Sequence, residues 1–127
     1  MRYQRIDPVS REVAEAAARA AVPEELAMVI LAVSLHEPDG DWAEAYCTTL
    51  AGHADPLIRG MAIFAFGHLA RVHRRLDRSR VAPIVEAALA DPDDYVRSQA
   101  ESAADDLRVF LGWRLLPGPR AGSTVSG

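Results

Sequence analysis

Two copies of one short pattern stand 38 positions apart in this chain. Asp55-Pro56-Leu57-Ile58-Arg59 is followed by Ala62, Ala65, Phe66 and Leu69; Asp93-Asp94-Tyr95-Val96-Arg97 is followed by Ala100, Ala103, Ala104 and Leu107. Each of these positions pairs at the same offset. A period of this size, with apolar residues at helical spacing, marks stacked helical hairpins in which each unit buries its apolar face against its neighbours. A weaker third copy lies upstream, where Val33-Ser34-Leu35 aligns with Gly67-His68-Leu69 and Asp105-Asp106-Leu107. The expected fold is therefore all-α: six helices in three stacked hairpins, a short α-solenoid.

Punctuation along the chain places the helices. Asp7-Pro8 supplies a side-chain acceptor at an N-cap and a proline at the first helical position, so a first helix is expected to run to about Ala21. The second runs from about Glu24 to His36, before Pro38-Asp39-Gly40. Asp41, with Glu44 three residues on, reads as an aspartate variant of the capping box and opens a third helix that stops near Gly52. Asp55-Pro56 opens the fourth, to about Val72, and His73-Arg74-Arg75 suits its C-terminus. Ser79 is the expected cap of the fifth, because that choice keeps Pro83 in the first turn. This helix ends at Ala90, and Asp91-Pro92-Asp93-Asp94 introduces the sixth, to about Leu111. Residues 1–113 are thus the repeat domain. Residues 114–127 carry no periodic apolar residue and read as a flexible tail.

Composition narrows the class of partner. At 127 residues, half of them hydrophobic, the chain can bury roughly two-thirds of its unfolded surface and fold unaided. A formal charge of −4 and a pI near 5.5 argue against a nucleic-acid binder and favour a basic protein partner. The single cysteine, Cys47, forms no internal disulfide. The charged start from Met1 to Ala20 lacks the apolar core of a signal peptide, and the longest apolar run, Leu26 to Val33, falls short of the roughly 18 residues of a membrane span. A soluble, reducing, cytoplasmic setting is expected.

Between residues 42 and 111 the chain resembles the HEAT-repeat family, on Asp55-Pro56-Leu57-Ile58-Arg59 and Leu89-Ala90-Asp91-Pro92-Asp93-Asp94-Tyr95-Val96-Arg97. The resemblance implies that Asp55, Arg59, Asp93 and Arg97 support the turns by hydrogen bonding, and that the second helix of each hairpin lines a concave surface. Asp94 departs from the pattern, since the other copy has Pro56 there. The layout from Arg5-Ile6-Asp7-Pro8 through Leu35-His36 to Gly67-His68-Leu69-Ala70-Arg71-Val72-His73 also looks like small bacterial HEAT proteins that act as immunity proteins of polymorphic toxin systems. That likeness implies a toxin-binding inhibitor with no enzymatic activity.

Little in the sequence promises chemistry. The one His-Glu pair, His36-Glu37, cannot fill a coordination sphere, and His68 and His73 are five apart, on different helix faces. Cys47 lies with Ala43, Tyr46 and Leu50 on an apolar helix side and reads as a structural thiol. Gly60 and Gly67, inside the fourth helix, read as points of close helix packing. No catalytic residue, metal or cofactor is expected.

Two surfaces remain as partner-binding candidates. The second helix is apolar all round yet belongs to a terminal unit, so Met28, Val29 and Ala32 are candidates for an exposed patch that would join a scaffold or homodimer. In the last repeat the stripe that holds Ile63, Gly67 and His68 in the fourth helix becomes Glu101, Asp105 and Asp106, with Asp91, Asp93 and Asp94 at the same end. Glu101, Asp105 and Asp94 would meet a basic toxin; alternatively, the acidity solvates a terminal face.

Overall fold

A computed structural model describes residues 6–118, and among them it is all-α. Six helices follow in order: α1 (Arg11–Ala20), α2 (Pro23–His36), α3 (Gly40–Leu50), α4 (Pro56–His73), α5 (Arg78–Ala88) and α6 (Asp94–Leu111). Residues 1–5, and 119–127 of the expected tail, lie outside the described residues. The second helix of the middle hairpin, α4, lies at the centre, packed against α2 on one side and α6 on the other, with α3 and α5 also against it. Ile58, Ile63, Phe66 and Leu69 of α4 are buried together with Leu26 and Ile30 of α2, Val81 and Val85 of α5, and Val96 and Leu107 of α6. Phe66 is the largest fully buried side chain; truncating such a residue typically costs about 3–5 kcal/mol.

Close approach of α4 and α6 depends on two glycines. A Cβ on Gly60 would sit 2.6 Å from the Tyr95 ring, and one on Gly67 would sit 2.5 Å from the Asp106 carboxylate. A larger residue at either position would force the Tyr95 ring or the Asp106 side chain to shift.

The caps of α4 and α6 follow the repeat. Asp55 accepts from the backbone N–H of Leu57 and Ile58, and Asp93 from that of Val96. Asp94, in place of a proline, leaves the start of α6 where the repeat puts it.

Three other starts differ from the sequence expectation. Helix α1 begins at Arg11, capped by Ser10, whose Oγ accepts from Val13 N at 3.1 Å; the segment before it is drawn to the first hairpin by Ile6 O, 2.7 Å from His36 Nε2. Helix α3 is capped by Asp39 rather than Asp41. Glu44 takes no part in a capping box: it is buried and accepts from Arg80 and from Asp77 N. Helix α5 is capped by Asp77, which accepts from both Ser79 N and Ser79 Oγ. Pro83 therefore lies inside α5, on its exposed side, where water can serve the carbonyl left without an N–H donor. That helix also ends at Ala88, with Leu89 and Ala90 in a turn.

Residues 114–118, grouped with the tail on sequence grounds, lie against the last hairpin. Trp113 is buried, Leu115 packs on the core, Leu116 N donates to the Glu86 carboxylate and Gly118 N donates to Glu86 O at 2.8 Å.

Candidate functional site

The turn between α3 and α4 and the turn between α5 and α6 are built alike. Two residues before each helix cap a side chain accepts the cap's own N–H: His53 Nδ1 takes Asp55 N at 3.0 Å, and Asp91 Oδ1 takes Asp93 N at 2.9 Å. An arginine in the first turn of the helix then reaches back to the turn carbonyls. Arg59 donates to His53 O and Ala54 O, and Arg97 donates to Asp91 O.

Only Arg59 reaches further. Its Nε and a terminal nitrogen donate to both oxygens of Asp91, each at 3.0 Å, joining the middle hairpin to the last one. Hydrogen bonding to Asp91 raises the pKa of Arg59 above its ordinary value. Burial opposes ionisation of Asp91, but the Arg59 fork and the Asp93 N–H outweigh it and hold that carboxyl below the usual range. A second joint stands on the other side of the stack, where buried Glu44 of α3 binds Arg80 of α5. Neither pairing was legible from sequence, because each partner lies more than thirty residues away.

These bonds reassign part of the expected acidic end. Asp91 and Asp93 turn inward, as partner of Arg59 and as helix cap. Asp94 stays exposed, in an ion pair with Arg97. Glu101 and Asp105 are also exposed, with Arg108 3.7 Å from Asp105. Asp106 points elsewhere, onto Gly67 of α4. Asp94, Ser98, Glu101, Ser102, Asp105 and Val109 all lie within a narrow arc of α6, and every one is exposed. By the repeat this arc corresponds to the side of α4 on which α6 packs: Ser98 matches Gly60 and Asp105 matches Gly67. The acidic stripe is therefore the outer end of the stack, the place a further repeat would occupy.

The apolar candidate on α2 is smaller than expected. Met28 is 45% exposed, Val29 is partly buried on the core, and Ala32 is buried at 3%. Helix α4 separates this surface from the α6 face. The N-terminal side is instead closed by α1, where Arg11 lies over the Trp42 ring, Trp42 stacks on Tyr46, and the Tyr46 hydroxyl donates to Ala14 O at 2.7 Å.

Cys47 and His68 are both shaped by burial. Burial, with Glu44 nearby, pushes the Cys47 thiol up to about 12, so it stays protonated at neutral pH. Burial and then Arg71 lower the pKa of His68, which meets Phe64 edge to face. Among the described residues no three His, Cys, Asp or Glu side chains converge as metal ligands, and no helix is long and apolar enough to cross a membrane.

Fold and surface together define a small helical-hairpin stack with a polar, carboxylate-bearing end. No protein-family model matches the chain and no curated protein does, so the resemblance to HEAT repeats rests on the helical arrangement and the turn motif. Among solved structures, the chain is similar to one in the crystal structure of the CDI complex from Cupriavidus taiwanensis LMG 19424. It is 28% identical to that chain with a TM-score of 0.73, over 87% of this chain and 97% of the other.

Proposed function

We propose that this chain is a bacterial immunity-type inhibitor: a non-enzymatic protein that binds a toxin and occludes it. One observation carries the reading. A chain of the same fold and nearly the same length, 28% identical, is a component of a CDI complex, the assembly of a contact-dependent-inhibition toxin with its immunity protein. Of the two roles in such a complex, the inhibitor suits this chain. Its one thiol is buried and protonated, and Arg59 and Arg80, with Asp91 and Glu44, are spent on joining its hairpins. A rigid preformed surface loses little conformational entropy on binding, which suits tight occlusion of an active site.

The partner we propose is a basic toxin, met by Asp94, Glu101 and Asp105 on the outer end of α6. A cationic groove would be steered to these carboxylates and held by them. The setting that goes with this role is the cytoplasm of the producing cell. Co-expression with the product of a neighbouring toxin-sized reading frame tests it. The expected result is a stoichiometric complex on size exclusion with light scattering, and restored growth of cells making the toxin. A homodimer that excludes that product, held through Met28 and Val29 and dispersed by Met28→Glu, would contradict the inhibitor reading.

A further inference from the structure

The end of the stack opposite the repeat turns carries a second charged surface, of opposite sign. Because helices alternate in direction, the C-termini of α4 and α6 and the N-terminus of α5 come together there. They bring with them Arg71, Arg74, Arg75, Arg78, Arg80, Arg108 and, just beyond α6, Arg114. Three of these are engaged by carboxylates: Arg75 by Asp41, Arg80 by Glu44 and Arg108 by Asp105. Arg71, Arg74, Arg78 and Arg114 are exposed and have no carboxylate partner among the described residues.

Local stability explains Arg71, since a cation at a helix C-terminus is favourable. The same argument covers the charge of Arg74, whose Nε donates to Arg71 O at 3.1 Å, but not its place in the backbone, and it does not explain Arg78. Arg74 caps α4 with φ 59, in the left-handed region. The matching cap of α6 is Gly112, φ 71, which occupies that region without a Cβ penalty. Arg78 sits in the first turn of α5, where the helix dipole repels a cation and no acidic residue is present. The matching turn of α3 has Gly40 in that place and carries Asp41. Both arginines are nonetheless held in position by rings: Arg74 lies 4.9 Å from the centre of Phe110, and Arg78 lies 5.6 Å from that of Trp113. A stacked guanidinium keeps its edge and its fork of N–H donors free. Arg78, a cation placed against local preference and braced by a ring, is arranged for something other than folding, and Arg74 adds its terminal N–H donors beside it.

We infer that this basic end, formed by Arg71, Arg74, Arg78 and Arg114, is a docking surface for a carboxylate-rich segment of a protein partner. Bidentate pairing matches an arginine fork to a carboxylate, and the rings behind Arg74 and Arg78 fix the forks in advance. A nucleic acid fits less well. Asp77, Asp41 and Asp105 are interspersed among the arginines and would face a continuous row of phosphates, and the chain as a whole is negative. This surface adjoins the α6 carboxylates at Asp105, which Arg108 engages, and its partner need not be the toxin.

Fluorescence anisotropy with a labelled octaglutamate peptide at low salt tests the inference, with a labelled single-stranded RNA of about twenty nucleotides run in parallel. The peptide is expected to bind. Arg78→Gln should weaken it about threefold while Arg19→Gln, an equal loss of charge on α1, leaves it unchanged. Combining Arg71→Gln, Arg78→Gln and Arg114→Gln should weaken it about tenfold or more. Circular dichroism checks the fold, and the single variant carries the test if the triple variant does not fold. Absence of peptide binding, equal losses from Arg78→Gln and Arg19→Gln, or tighter binding of the RNA than of the peptide would each overturn the assignment.

Discussion

The middle and last copies of the repeat use the same residues under opposite conditions, and the differences follow from whether a neighbour is present. Arg59 braces its own turn and also grips Asp91 in the next hairpin; Arg97 meets no further hairpin among the described residues and pairs with Asp94 beside it. Gly60 and Gly67 give way to the incoming α6, while their counterparts Ser98 and Asp105 face outward. Ile63 is buried at 1%, and the matching Glu101 is exposed. The position that accepts the cap's N–H is an imidazole in one copy and a carboxylate in the other, and Asp91, with two oxygens, also receives an arginine from the preceding unit. A repeat sequence is thus a composite of positions that make the unit and positions that join units. At the outer end, positions of the second kind are released for another use.

If that division is right, matched substitutions in the two copies should have unequal costs. Arg59→Ala breaks a bidentate pair and two turn bonds in a largely buried site and should destabilise the fold by about 3 kcal/mol, against about 1 kcal/mol for Arg97→Ala. Urea melts compare them, and equal losses would dissolve the distinction between joining and local arginines. Gly60→Val should cost about 2–3 kcal/mol by forcing the Tyr95 ring from α4, whereas Ser98→Val should change stability by less than about 0.5 kcal/mol.

Asp91 sharpens the contrast through pH. Its carboxyl is held below the ordinary range in the folded state, so its contribution is complete above the unfolded value of about 4 and is lost as pH falls through the lower folded value. Asp91→Asn should therefore be less stable than the parent by about 1–2 kcal/mol at neutral pH, with the gap closing in melts below about pH 4. The smallest effect belongs to the C-terminal segment. Deletion from Leu115 onward removes the Leu115 contact and two backbone bonds to Glu86, and should lower the melting temperature by about 5 °C, roughly 1 kcal/mol.

The second helices were readable because their signals are local and redundant. Asp55 and Asp93 each sit one residue before a helix, and α2, α4 and α6 end within about a residue of where the pattern stops. The packing role of Gly60 and Gly67 was readable too, since glycine inside a strong apolar helix has few other uses. The first helices of the middle and last hairpins misled in a consistent way. Asp39 and Asp41, and Asp77 and Ser79, are both eligible cap pairs two residues apart, and in each the earlier residue caps. What decides between them is tertiary: buried Glu44 is claimed by Arg80 and Asp77 N, which no local rule contains. The same reason hid the inward turn of Asp91 and Asp93, so the acidic end looked stronger in the sequence than it is on the surface.

The proposal that the outer face of α6, covered by no further helix among the described residues, receives a basic toxin is tested most directly by association kinetics. Glu101→Lys with Asp105→Lys reverses two exposed charges that no core contact uses. Against the toxin-sized product of the neighbouring reading frame, the double variant should associate about tenfold or more slowly at low salt, with unchanged folding stability, and the deficit should shrink as salt rises and screening removes both the lost attraction and the new repulsion. An association rate untouched by both reversals, at low and high salt alike, would contradict the account and take the outer face of α6 out of the binding site.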